Sequence, residues 1–76
     1  MPTIIRFNNC HINIHFDDHN PPHFHIYGSD FRVMVNIETL QIMEGSAAKA
    51  NIREAMEWAK DNKATLRDAW AKYTGK

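Results

Sequence analysis

One cysteine, three glycines and no net formal charge mark a 76-residue chain by what it has little of. Each scarcity excludes something. A lone cysteine, Cys10, cannot close an internal disulfide, which fits a reducing cytoplasm, and its expected place is that of a small buried hydrophobe rather than a nucleophile. The glycines form no Gly-rich phosphate loop, and Ser29, Ser46 and Cys10 stand in no nucleophile motif. Zero net charge argues against the cationic surface that duplex DNA selects, so strong DNA binding by the chain alone is not expected. No apolar run approaches the roughly 20 residues that span a bilayer. The start, "MPTIIRFNNC", lacks the apolar segment behind a basic end that defines a signal peptide, so the expected location is cytoplasmic. Repeats, linkers and low-complexity tracts are also lacking.

What is there reads as a globular domain: 43% hydrophobic and 24% charged residues. Residues 1–76 are expected to form a single domain, with a β-rich part over 1–45 and two helices over 46–76. A chain this short buries only about 60% of its unfolded surface. Its thin core makes a small protein partner, or self-association, an expectation. Charge is unevenly spread. Residues 1–45 hold two basic and five acidic side chains, net −3, and residues 46–76 hold seven and four, net +3. Arg53 and Glu57, four apart, can pair on a solvated helix surface. Alternatively, the helical half faces an acidic partner. At about 100° per residue, Lys49, Arg53 and Lys60 share one sector bordered by Glu57, away from the apolar stripe.

Hydrophobic period assigns the elements. "TIIRF" is short and β-branched. "CHINIHF" alternates, with Cys10, Ile12, Ile14 and Phe16 on one face and His11, Asn13 and His15 on the other. Asn8-Asn9 between them suits a two-residue hairpin, because asparagine tolerates positive φ. "HFHIY" sets Phe24 and Ile26 against His23, His25 and Tyr27. Gly28-Ser29-Asp30 is a turn, "FRVMV" a strand with Phe31, Val33 and Val35 in phase, and "TLQIM" a last strand ended by Gly45. Ser46 is the expected N-cap of a helix whose stripe is Ala48, Ile52, Ala55, Met56 and Ala59. Asp61-Asn62 breaks the pattern before a second helix with Leu66, Ala69, Trp70 and Tyr73 inward. Trp58, Trp70 and Tyr73 are expected in the core. The fold class is α+β: a small, mostly antiparallel sheet of four to five strands followed by a C-terminal helical hairpin.

The densest chemistry is "DDHNPPHFHIYG", Asp17 to Gly28. Matching the apolar sets of the two strands that flank this loop fixes their register, since a slip of one residue would oppose apolar to polar side chains. Ile14 and Phe24 then share the buried face, and His11, His15, His23, His25 and Tyr27 share the other, with His15 across from His23. Residues two apart on a strand lie about 6.5–7 Å apart and point the same way, so His23 and His25 can converge on one metal or phosphate. Pro21 and Pro22 stiffen the loop, bias Asn20 toward extended backbone and leave room for a cis peptide. Asp17, Asp18 and His19 lie within reach of His23. Zinc or nickel would suit imidazoles at His23, His25 and His19, but spacing specifies no third ligand. Acid–base chemistry on RNA or another phosphodiester is a further candidate. The plainer alternative is that the Asp-His pair satisfies backbone groups of the turn.

"DHNPPHFH", together with "MPTI" at the start, "EG" before the helices and "EW…L…AW" after, resembles the domain of unknown function 4160 family of small prokaryotic proteins, over nearly the whole chain. The resemblance implies an α+β fold and no established activity. Members look like partners of a second small protein encoded by a neighbouring gene, in pairs arranged like toxin–antitoxin modules. The motif carries over to Asp18, His19, Pro21, Pro22, His23, Phe24 and His25. His11 and His15 fall outside it, His15 standing where an aromatic is usual. Ser46-Ala47 replaces a usual Leu-Pro, and the hairpin at Glu38-Thr39 lacks the customary glycine. The expectation is an interaction module, one member of such a pair, working through Asp18, His19, Pro21, Pro22, His23 and His25. The alternative is a histidine-based or metal-assisted nuclease or hydrolase using Asp18-His19 and His23-x-His25.

Overall fold

The two alternating segments become neighbouring strands near the middle of an antiparallel sheet. The computed structural model describes residues 3–16 and 19–75. Strands β1 (Thr3–Arg6), β2 (Cys10–Asn13), β3 (His23–Gly28), β4 (Arg32–Asn36) and β5 (Ile42–Gly45) pair in sequence order. Helices α1 (Lys49–Asp61) and α2 (Lys63–Thr74) follow, so the α+β class holds.

Register follows burial. Ile12 lies opposite Ile26, Phe24 opposite Val35 and Ile26 opposite Val33. With Ile14, Ile37, Ile52, Ala55, Ala59, Leu66 and Trp70, these residues form one core shared by sheet and helices. α1 lies on β2 and β3, bringing Ile52, Ala55 and Ala59 onto the apolar face. At β1, an irregularity between Thr3 and Ile5 keeps Ile5 opposite Ile12.

The turns are short and tied down. Phe7 N donates to the Cys10 carbonyl at 2.7 Å, closing the two-residue Asn8-Asn9 turn. Neither asparagine takes a positive φ. Asn9 acts through its side chain instead, donating from Nδ2 to the Asn51 carbonyl of α1 at 2.8 Å. Gly28 N donates to the Phe31 carbonyl at 2.8 Å across Ser29-Asp30. Gly28 is needed there because a Cβ would stand 2.1 Å from the Phe31 ring.

Several boundaries differ from the sequence expectation. Phe16, expected inward, is 61% exposed: β2 stops at Asn13, the alternation ends with buried Ile14, and the Phe16 ring meets Tyr73 edge-on at 5.8 Å. The last strand starts at Ile42 rather than Thr39. Asn36 Oδ1 accepts from the Glu38 and Thr39 amides at 2.8 and 3.0 Å, curling residues 37–39 into a turn. Leu40 leaves that turn at φ 60°, in the left-handed region, where the hairpin has no glycine to use. Ser46 does not cap α1. Residue Ala48 precedes the helix with extended backbone and no side-chain cap, because the chain leaving β5 stays extended through 46–48. Asn62 alone joins the helices, and its Nδ2 donates back to the Trp58 carbonyl at 2.8 Å, closing α1 rather than capping α2. Trp70 is buried, while Trp58 and Tyr73 are half-buried against the core.

α2 braces one end of the sheet. Arg67 pairs with Glu38 at 3.0 Å, and Lys63 Nζ donates to the Glu38 carbonyl at 2.7 Å. Arg53 and Glu57, spaced so that they can pair, form no ion pair among the described residues; both line the groove beside α1. No described helix is long and apolar enough to cross a membrane.

Candidate functional site

Alternation puts a second set of side chains on the sheet face away from α1. His11 lies opposite Tyr27, Asn13 opposite His25, Met34 opposite His25 and Arg32 opposite Tyr27. Glu44 of β5 lies opposite Met34. The shared histidine face expected from the register therefore forms. The register stops at Asn13–His25, one pair short of setting His15 against His23. The His15 ring stacks on His25 instead, centroids 4.0 Å apart and planes 22° apart. It packs ring on ring, as an aromatic side chain would.

The rings make a continuous row. Tyr27 stacks with His11 at 5.6 Å and lies parallel to His15 at 6.1 Å, and its hydroxyl shares a 3.0 Å hydrogen bond with His15 Nε2. His23 meets His25 edge-on at 5.1 Å and Trp70 at 5.0 Å. His15, His25, Tyr27, Arg32, Met34 and Glu44 line a concavity of about 410 Å³. A second hollow of about 320 Å³, bordered by Arg6, His11 and Tyr27, adjoins it through Tyr27.

The motif residues are placed differently from one another. His23 is buried, and its Nδ1 donates to the Pro21 carbonyl at 2.8 Å. The Pro22 carbonyl accepts from Ile37 N at 3.1 Å, and the Asn20–Pro21 bond is cis. His23 thus holds the loop onto α2 through Trp70. Phe24 is fully buried, His25 opens onto the concavity, and His19 and Pro21 are exposed. Asp17 and Asp18 lie outside the described residues. Among the described residues, no three His, Cys, Asp or Glu side chains gather as metal ligands would. Asn13 is buried beside His25, with its Oδ1 accepting no hydrogen bond from the described residues.

Arg32 and Glu44 were not singled out from sequence. The signal for Arg32 was available: the two-residue turn after Gly28 makes Tyr27 and Arg32 partners. Glu44 needed the β4–β5 register, which the long Asn36–Gln41 turn conceals.

A second feature lies between α1 and the Leu40–Ile42 edge of the sheet. Leu40, Ile42, Ile52 and Met56 floor a groove of about 650 Å³, with Lys49, Arg53 and Lys60 on its rim beside Glu57. These are the three cations that helical period put in one sector. Ile42 and Met43 of β5 are 44% and 38% exposed. Cys10 is buried, and burial first, then the negative charge of Glu54, pushes its thiol pKa up. It is held as a neutral thiol, as expected for a packing residue.

No curated protein and no solved structure matches the chain. The family described as Domain of unknown function (DUF4160) matches residues 4–71. Its span takes in most of β1, the other four strands, α1 and most of α2, the resemblance read from the Asp18–His25 motif covers the same ground, and the chain belongs to this family.

Proposed function

We propose that this chain is a cytoplasmic protein-interaction module, one member of a two-protein pair arranged like a toxin–antitoxin module. The observation that carries the reading is the groove between β5 and α1. Its floor is apolar and its rim holds three cations against one carboxylate. Amphipathic helices dock in such grooves through apolar side chains at helical spacing. The rim selects a partner segment whose flanking residues are acidic, since opposite potentials speed encounter and exclude like-charged competitors. Cationic side chains this few suit a protein surface better than a duplex phosphate backbone.

Co-expression with the product of the neighbouring gene tests the reading. Co-purification is expected for wild type and is expected to be lost in Met56→Glu, which puts a carboxylate on the groove floor. Separate elution of wild type and partner at micromolar concentration would remove the pairing reading.

The alternative, a histidine-based or metal-assisted hydrolase, draws support from one observation: His15 and His25 are in stacking contact beside Arg32. Its test is turnover of RNA with His25→Ala as control, without and with added zinc. Activity equal in the variant and wild type would place it in a contaminant.

A further inference from the structure

We propose that the open histidine face is a binding site for a phosphate ester, held by Arg32 together with the imidazoles of His15 and His25. The inference stands without the pairing reading. It shares its site with the hydrolase alternative but requires binding only, so phosphate bound without turnover would keep the site and remove the enzyme.

Three observations converge on it. The concavity of about 410 Å³ has the volume of a small-molecule site. Its donors differ in kind and come from two strands and a connecting segment: a guanidinium from β4, one imidazole from β3 and one from the segment after β2. Guanidinium offers a planar fork to two phosphate oxygens, and imidazoles reach the others from a second direction. The donors are also held in place. His15 is fixed by its hydrogen bond to Tyr27 and its stack on His25, so little rotamer freedom is left to lose when a ligand arrives.

Among the described residues, the groups near the imidazole pair include Arg32 from β4, Glu44 from β5, Tyr27 and His23 from β3, and His11 and Arg6 farther along β2 and β1. Within the lining, Arg32 attracts an anion and Glu44 opposes it.

The same chemistry can come from a free phosphate monoester or from a single strand of RNA. The adjoining Arg6–His11 hollow separates the two. A polynucleotide crossing Tyr27 would engage both hollows, whereas a free phosphate would use one.

The experiment is a titration of the full chain with inorganic phosphate and with a uridine hexamer, followed by the imidazole proton resonances of His15 and His25. Sulfate, a tetrahedral dianion of fixed charge, is a second probe. Saturable shifts at His15 and His25 are expected. His25→Asn should weaken phosphate binding. Arg32→Ala, at an exposed position, should weaken phosphate about tenfold or more. Glu44→Gln should strengthen it about two- to fivefold by removing an opposing charge. If Arg6→Ala weakens the hexamer but leaves phosphate unchanged, the source is a polynucleotide; if phosphate binds and the hexamer does not, it is a monoester. No shift with any anion, or phosphate affinity unchanged in Arg32→Ala, overturns the site.

Discussion

The two faces of the sheet are made by alternate residues of the same strands, yet they do different work. On one face Ile12, Phe24, Ile26 and Val35 are fully buried under α1 and the rest of the core. On the other, His11, His15, His25 and Tyr27 are half-buried and make ring contacts with one another. A side chain two positions along stays on its face, and one position along crosses to the other. Stability and chemistry are thus interleaved residue by residue. The core face should respond to truncation as a folding unit, and the histidine face should respond mainly in what it binds.

The largest expected difference comes from Phe24→Ala. Phe24 has no exposed surface, and deleting a buried phenylalanine costs about 3–5 kcal/mol. Urea unfolding is expected to show that loss, or the variant fails to fold; a loss below about 1 kcal/mol would mean that the core face carries less than its burial indicates. Gly45→Ala comes next. Gly45 sits at φ 83°, and an added Cβ would stand 2.3 Å from the Arg32 carbonyl oxygen. A cost of roughly 1–3 kcal/mol is expected from strain in that region, with the β4–β5 amides losing hydrogen-exchange protection first.

The neighbour of Phe24 should behave oppositely. His25→Ala leaves Phe24 in place and removes a half-buried ring, so its stability cost is expected to stay below about 1 kcal/mol, the range of a cross-strand pair. A cost near that of Phe24→Ala would show that the histidine row is itself a core. The smallest effect is kinetic. Because burial and Glu54 raise the Cys10 pKa, native protein should react with iodoacetamide at neutral pH only as fast as it opens. The sign also sets a stability window. A thiol whose folded pKa is raised contributes nothing below its unfolded pKa, and stability declines as pH climbs from there toward the folded value. Rapid alkylation of native protein would mean that β2 is open to solvent.

How much of this was legible in the sequence follows from the same alternation. Residues 10–14 and 23–27 declared their faces and register, because a slip of one residue would have buried histidines against isoleucines. Phe16 did not declare itself: period cannot show where hydrogen bonding stops, and β2 ends three residues earlier. Ser46 had the chemistry of a cap, but the path from β5 sets where α1 begins. His23 and His25 look alike in sequence, and only α2, arriving through Trp70 from 47 residues beyond His23, separates a loop anchor from an imidazole that lines the concavity. The cations of α1 were visible as a sector. Their groove was not, because its other wall, Leu40 and Ile42, depends on a turn with a left-handed leucine.

The pairing claim is tested most directly by calorimetric titration of the neighbouring gene's product into three forms of this chain: wild type, Lys49→Glu/Arg53→Glu and His25→Ala. The account predicts that reversing the rim charges weakens binding at least tenfold at moderate salt, while His25→Ala binds like wild type. Binding that survives the charge reversal and is lost in His25→Ala would contradict it, moving the docking surface from the groove to the histidine face.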